Sequence, residues 1–378
     1  MNTKRRNATV ELLRIVAMIM IICLHGLDKG GLLKIYVGSG KSGYLGSWLL
    51  ESLAIVGLNL YVLITGYFMV KAQVRIGRFI EIVLTIMFYS VGIFGLVLLL
   101  SKIFGIGDVV VTANDLFKCI FPIHMETYWF CTAYVVLYLF LPVISVGVRS
   151  LSKKALGIVI IFMLVFETAF KSFCPFIFEI DDKGYSSLWF ITLFLIAAYI
   201  RLYGIPFINN VKRGLLVYFI GAAFIFIEEI LIQFVYNRFG HLELLERISY
   251  DYNHIFVVAA SVGLFAAFIN MREIKGKAAG VIGFFSAGSF GVYLIHEHIY
   301  TRFEWPKWLG IENLSESNPL WLIVRVILSA CLVYIVCAVA DKPRQLLFTC
   351  IKNRLEKSHI TAKLSKMEKI INGEDTSD

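Results

Sequence analysis

Ten runs of about twenty mostly apolar residues, parted by short polar stretches, dominate this sequence. They lie near 9–27, 46–70, 79–101, 127–148, 154–172, 186–204, 214–236, 253–270, 281–300 and 319–340. A helix needs about 20 such residues to cross a bilayer core of about 30 Å. The chain therefore reads as an all-α integral membrane protein of about ten transmembrane helices. Composition agrees: 58% of the 378 residues are apolar and 17% charged, against about 45–50% and about 25% in a soluble domain. A soluble fold of this length could not hide that much apolar surface. A disordered chain, a disulfide-stapled mini-domain and an ordinary cytosolic enzyme are excluded.

Lys4, Arg5 and Arg6 before the first run imitate a signal peptide, but no small-residue cleavage site follows Cys23, Leu24, His25 and Gly26. The first run is read as an uncleaved span. The seven cysteines show no CxxC and no Cys/His spacing that suits zinc. No metal site is expected. A Cys119–Cys174 bridge would need both loops outside and is not favoured.

Basic residues set the orientation, since cytoplasmic loops collect Lys and Arg. With the N-terminus inside, each inner segment holds three: Lys4, Arg5, Arg6; Lys71, Arg75, Arg78; Arg149, Lys153, Lys154; Arg201, Lys212, Arg213; Arg272, Lys275, Lys277. The outer segments hold the acids Asp108, Asp115, Glu126, Glu179, Asp181, Asp182, Glu243 and Glu246. The expected topology is N-in and C-in. The net charge of +9 then belongs to the cytoplasmic membrane edge and not to nucleic acid. Residues 1–341 form the membrane body. Residues 342–378 are a tail whose Lys352, Arg354, Lys357, Lys363, Lys366 and Lys369 interleave with Leu355, Ile360, Leu364 and Ile370. That pattern suits an amphipathic helix on anionic membrane lipids, or a solvated tail.

Ionisable groups inside spans are costly and usually functional. Arg14 and His25 stand eleven residues apart in the first run. Eleven steps make three helical turns plus about 20° and a rise of about 16 Å, so the two share one face. Glu11 lies one turn below Arg14 and can pair with it. Tyr293 and His296 in the ninth run reach the height of His25. Glu51, Glu228, Glu229, His254 and Arg325 fall in the outer half, while Arg75, Arg78 and Glu81 lie at the cytoplasmic rim. This divides the polar groups into a basic set inside and a His/Glu set above. Trp129, Trp189 and Trp305 suit interfacial belt anchors. His124, His254 and His298 suit loop or interface positions. Glu228 and Glu229 are either a structural pair facing a cavity or part of a site.

The Arg14-to-His25 spacing resembles the arginine–ten–histidine signature of the membrane acyltransferase-3 family. Three further stretches follow in that family's order. Asn59-Leu60-Tyr61-Val62-Leu63-Ile64-Thr65-Gly66-Tyr67 resembles its aromatic run ending in Ser-Gly. Tyr128-Trp129-Phe130 through Tyr138 to Pro142 resembles its Trp-Phe helix. Gly291-Val292-Tyr293-Leu294-Ile295-His296 resembles its Tyr-Leu-Ile-His stretch. Thr65 replaces the usual Ser, and Glu11 the commoner Asp.

The resemblance implies O-acyl transfer, usually of acetyl from acetyl-CoA, to a cell-surface or lipid-linked glycan, by a multi-pass protein of a bacterial plasma membrane. It implies His25 as base or transient acyl carrier, with Arg14, Glu11, Tyr293 and His296 around it. Arg75 and Arg78 are expected to hold the CoA phosphates, and Glu51, Asn59, Trp129 and Glu228 the acceptor. A transporter or flippase of glycan intermediates, a scaffold without chemistry, and an acyltransferase acting on an amino acid or small molecule are the alternatives.

Overall fold

The computed structural model describes residues 7–35, 38–105, 111–173, 182–239, 248–355 and 359–373. No strand occurs among them. Helix α1 (Ala8–Lys29) starts at Asn7, whose side chain accepts from the backbone N–H groups of Thr9 and Val10, satisfying donors that a helix start leaves open. Then come α2 (Tyr44–Ala54), α3 (Gly57–Met69), α4 (Ile76–Phe104), α5 (Ala113–Ile120) and α6 (Trp129–Ser150). The short α7 (Lys153–Leu164) and α8 (Phe170–Phe173) are joined by a π-helical turn at Val165–Ala169. The rest are α9 (Ser187–Tyr203), α10 (Val211–Phe239), α11 (Ile255–Ile269), α12 (Gly276–Ser286), α13 (Ser289–His296), α14 (Glu304–Trp308), α15 (Pro319–Ala340), α16 (Lys342–Leu355) and α17 (His359–Ile371).

Among the described residues, nine helical segments are long and apolar enough to span a bilayer, and the 17-residue Ser187–Tyr203 helix is a shorter apolar one. Together they occupy all ten apolar runs. The protein is an all-α, multi-pass membrane protein. Two runs depart from expectation. The second is split between α2 and α3 at Ile55 and Val56, and the ninth between α12 and α13 at Ala287 and Gly288. The ninth also ends at His296 and not near 300, because Glu297 leaves the helix for a run of turns.

Helix α1 is the centre of the bundle, packed against α2, α3, α12, α13 and α15. Helices α4, α6, α7, α10 and α15 carry many exposed apolar side chains, such as Leu99, Val143, Phe162, Phe234 and Leu328. Such faces suit lipid, where burial against protein brings no hydrophobic gain. Trp189 and Trp305 are not belt anchors. Both are buried, Trp189 fully, with its indole N–H given to Asn59.

Contacts between loops sort them into two ends. At one end Thr9 bridges Arg272 and Ile274, Asn270 reaches Ile208, and Tyr203 reaches Leu151. At the other, Ser42 meets Glu316, Lys183 meets Tyr252, and Ser172 meets Ile255. The first end is the one whose loops carry three basic residues each.

The tail is tied to the body. Only Asp341 separates α15 from α16, and its carboxylate takes two bonds from Arg344, at 2.6 and 2.9 Å, and one from Tyr89. Asp341 lies so close to Gly291 on α13 that a Cβ there would stand 2.4 Å from it. Helix α17 docks on the start of α4: Asn372 pairs with the backbone of Val74, and Glu368 accepts from the N–H of Gly77. Cys119 is a free buried thiol, and Cys174 lies outside the described residues.

Candidate functional site

One stripe of α1 builds the site. Arg14, Met18, Ile21 and His25 recur at helical spacing, and the last three line a cleft together with Leu58, Tyr61, Trp129, Tyr252 and Tyr293. Arg14 lies at the foot of the stripe. Its Nη1 is 2.6 Å from Oε2 of Glu11, one turn below, and Tyr61 and Tyr134 are within its electrostatic reach. Tyr61 connects the two levels, because it also lines the cleft.

The protonation of His25 follows from its neighbours. His296 Nδ1 is 2.7 Å from the carbonyl oxygen of Val292. A carbonyl only accepts, so Nδ1 of His296 carries its proton. In the neutral ring Nε2 is then an acceptor. That Nε2 lies 3.0 Å from Nδ1 of His25, so the proton between the rings belongs to His25 Nδ1. The same Nδ1 is 3.0 Å from Oε2 of Glu297. The His296 acceptor therefore holds the Nδ1–H tautomer, with the Glu297 carboxylate beside it, and the lone pair of His25 is on Nε2. Glu297 is held in turn by Lys29, which donates to Oε2, and by Arg302, 3.8 Å from Oε1. The result is an imidazole backed by a carboxylate, in a cleft otherwise walled by apolar and aromatic side chains.

The structure brings His25, Tyr293 and His296 together: the His25 ring centroid is 5.2 Å from that of His296 and 6.4 Å from that of Tyr293. Trp129 lines the cleft with His25 and Tyr293. Arg75 and Arg78 are exposed at the start of α4, Arg75 being its cap, and they do not line the cleft. Asn59, expected at the acceptor, is fully buried elsewhere. Its amide donates to the carbonyl of Tyr252 and to Ser261 and accepts from Trp189, which ties α3 to α9 and α11. Glu51 is buried on α2 and does not line the cleft. Glu228, on α10, sits 3.5 Å from His254 Nε2 and likewise stays out of the cleft. Its neighbour Glu229 accepts from Gln233 and Ser249.

Sequence reasoning missed Glu297 and Lys29. Each had a signal: Lys29 is one turn past His25, and Glu297 directly follows the Tyr-Leu-Ile-His stretch. It also named no metal ligands. Yet His25, His296 and Glu297 offer atoms within 4.8 Å of one another, a set of types that could hold a metal ion. Here the Lys29 ammonium takes the Glu297 oxygen that faces His25.

Residues 7–341 match the family model described as an acyltransferase domain, the acyltransferase-3 family. The chain belongs to this family. No curated protein and no solved structure matches it. This membrane acyltransferase is thus an enzyme, which displaces the transporter and scaffold alternatives. The matched span begins at Asn7, the cap of α1, and ends at Asp341, the residue that locks α15 to α4.

Proposed function

We propose that this acyltransferase moves an acetyl group from acetyl-CoA to a hydroxyl of a cell-surface or lipid-linked glycan, in a bacterial plasma membrane, with both termini in the cytoplasm. The observation that carries the proposal is the His25 tautomer, whose proton is held on Nδ1 by His296, with the Glu297 carboxylate beside it, while Nε2 keeps its lone pair.

A sugar hydroxyl is a weak nucleophile until a base takes its proton. Imidazole, with an unperturbed pKa near 6.5, is well matched to that task. Nε2 of His25 takes the hydroxyl proton as the oxygen bonds to the thioester carbonyl carbon. The C–S bond then breaks, and the CoA sulfur leaves with the proton returned by the imidazolium. Glu297 stabilises the imidazolium charge, as the carboxylate does in a Ser-His-Asp triad. The hydroxyls of Tyr61 and Tyr293 in the cleft supply donors for the developing oxyanion. The apolar walls of Met18, Ile21 and Leu58 keep water from the thioester.

Arg75 and Arg78 bind the CoA phosphates by forked hydrogen bonds. Their exposure, the basic character of that end of the bundle and the charge of Arg14 on the way to His25 support a donor entering from the cytoplasm. Incubating the purified protein with labelled acetyl-CoA and extracted surface glycan tests the reading. Label in the glycan supports it. Thioester consumption with no label in any saccharide excludes the glycan acceptor.

A further inference from the structure

Trp129, Phe130, Tyr252, Phe290 and Tyr293 make much of the cleft wall aromatic. Trp129 opens α6, is half-buried and lines the cleft together with His25. Tyr185 packs on its indole with ring centroids 4.3 Å apart, and Tyr252 stacks at 6.1 Å and 30°. The two tyrosines are 5.0 Å from each other. Tyr252 lines the cleft beside the indole, whereas Tyr185 packs on the indole without being part of the lining.

The turn that delivers Tyr185 is strained. Asp182, Lys183 and Gly184 stand in succession at φ of 39°, 56° and 81°, the left-handed region that side-chain-bearing residues avoid. The turn is pinned at both ends, by the N–H of Tyr252 on the carbonyl of Lys183 and by the N–H of Tyr185 on that of Asp182. A Cβ on Gly184 would stand 2.8 Å from Cβ of Tyr252, so only glycine lets the turn approach. Backbone strain of this kind persists where the surroundings over-determine it, often at ligand clamps. Here the strained turn delivers Tyr185 to the indole of Trp129.

An indole that served as a lipid anchor would face lipid. This one faces a cleft that contains a general base. Binding clefts pair apolar and aromatic walls with a few placed polar groups. A pyranose ring matches that division, since it has a C–H face and a hydroxyl edge, and an aromatic ring offers a large rigid surface for the former. We infer that Trp129, packed against Tyr185 and flanked in the cleft by Tyr252, is the floor on which a pyranose ring of the acceptor lies, C–H face down, with an edge hydroxyl presented to Nε2 of His25. The inference rests on the saccharide-acceptor reading above and names the part of the saccharide that is recognised. Tyr185 acts as a positioning residue.

The test compares acetyl transfer from labelled acetyl-CoA to methyl hexopyranosides and to straight-chain alditols, which carry similar hydroxyls without a ring face. The wild-type protein should favour the best pyranoside by about tenfold or more in kcat/KM. Trp129→Ala should abolish that preference, and Trp129→Phe should keep part of it. Tyr185→Ala should raise the KM for the pyranoside several-fold, while Tyr185→Phe restores it and the KM for acetyl-CoA stays the same in both. Equal use of pyranosides and alditols by the wild type, or a preference that survives Trp129→Ala, overturns the stacking floor and leaves acyl transfer to hydroxyls standing. Consumption of acetyl-CoA with no label in any pyranoside or glycan overturns the saccharide reading as well.

Discussion

His25 and His296, 271 positions apart in the chain, meet Nδ1 to Nε2 at 3.0 Å, and the backbone of α13 decides which of them holds the proton between them. The bond from His296 Nδ1 to its own helix carbonyl at Val292 makes its Nε2 an acceptor, and that leaves His25 with a free lone pair on its other nitrogen. The ninth span thus sets the chemistry of the first.

Glu297→Gln keeps the shape of the side chain but removes the charge that balances an imidazolium. The amide can still bond to His25, and in its donor orientation it favours the wrong tautomer. The expected result is a fall in kcat of about 10²–10⁴-fold with the KM for acetyl-CoA nearly unchanged, measured as initial rates of label transfer. A change confined to KM would place Glu297 in binding.

Arg75 and Arg78 are exposed and outside the cleft, so their loss should leave the reacting groups in place. The double change to Ala is expected to raise the KM for acetyl-CoA by about tenfold or more, since charge-assisted bonds contribute about 1.5–3 kcal/mol each. The kcat should change much less. Added salt should weaken donor binding in the wild type and have less effect in the variant. An unchanged KM would remove the two arginines from the donor site.

Asn59 separates a structural role from a binding one. Its amide takes part in bonds to Tyr252, Ser261 and Trp189. Asn59→Ala leaves buried polar partners unpaired, at about 1–3 kcal/mol for each such group. A lower thermal unfolding temperature in detergent is expected, with little change in acceptor KM for the protein that remains folded. A selective rise in acceptor KM at wild-type stability would return Asn59 to the acceptor site.

Gly291 on α13 lies directly against Asp341 at the end of α15. Gly291→Ala would drive a methyl group into a carboxylate that already serves Arg344, Tyr89 and Gln345. Overpacking of this kind costs about 1–3 kcal/mol. The variant should unfold at lower temperature and also lose rate, because Tyr293 and His296 ride on α13. Wild-type stability would show that α15 can yield there.

Much of the membrane body and half of the site can be read from local pattern. Arg14, Met18, Ile21 and His25 fall on one stripe because helical periodicity alone requires it, and α1 is one unbroken helix. The break at Ile55–Val56 leaves no mark in hydropathy, which stays high across it, whereas the break at Ala287–Gly288 falls in the small, weakly polar stretch Ser286-Ala287-Gly288-Ser289. Asn59 and Glu228 illustrate a different limit. A polar residue within an apolar run is visible, but whether it turns to a cleft or to another helix is settled by packing between distant segments. Glu297 and Lys29 stand at the ends of spans, where charged residues are ordinary, so only the fold reveals that both converge on His25.

The most direct test is acetyl transfer by His25→Ala, set beside His25→Gln and the wild type. All three should insert in the membrane and purify with the same gel-filtration profile, since His25 sits at a cleft and not in the packed core. The account predicts that label transfer from acetyl-CoA falls by at least about 10²-fold in both variants. Transfer at the wild-type rate by inserted, folded His25→Ala protein would contradict it.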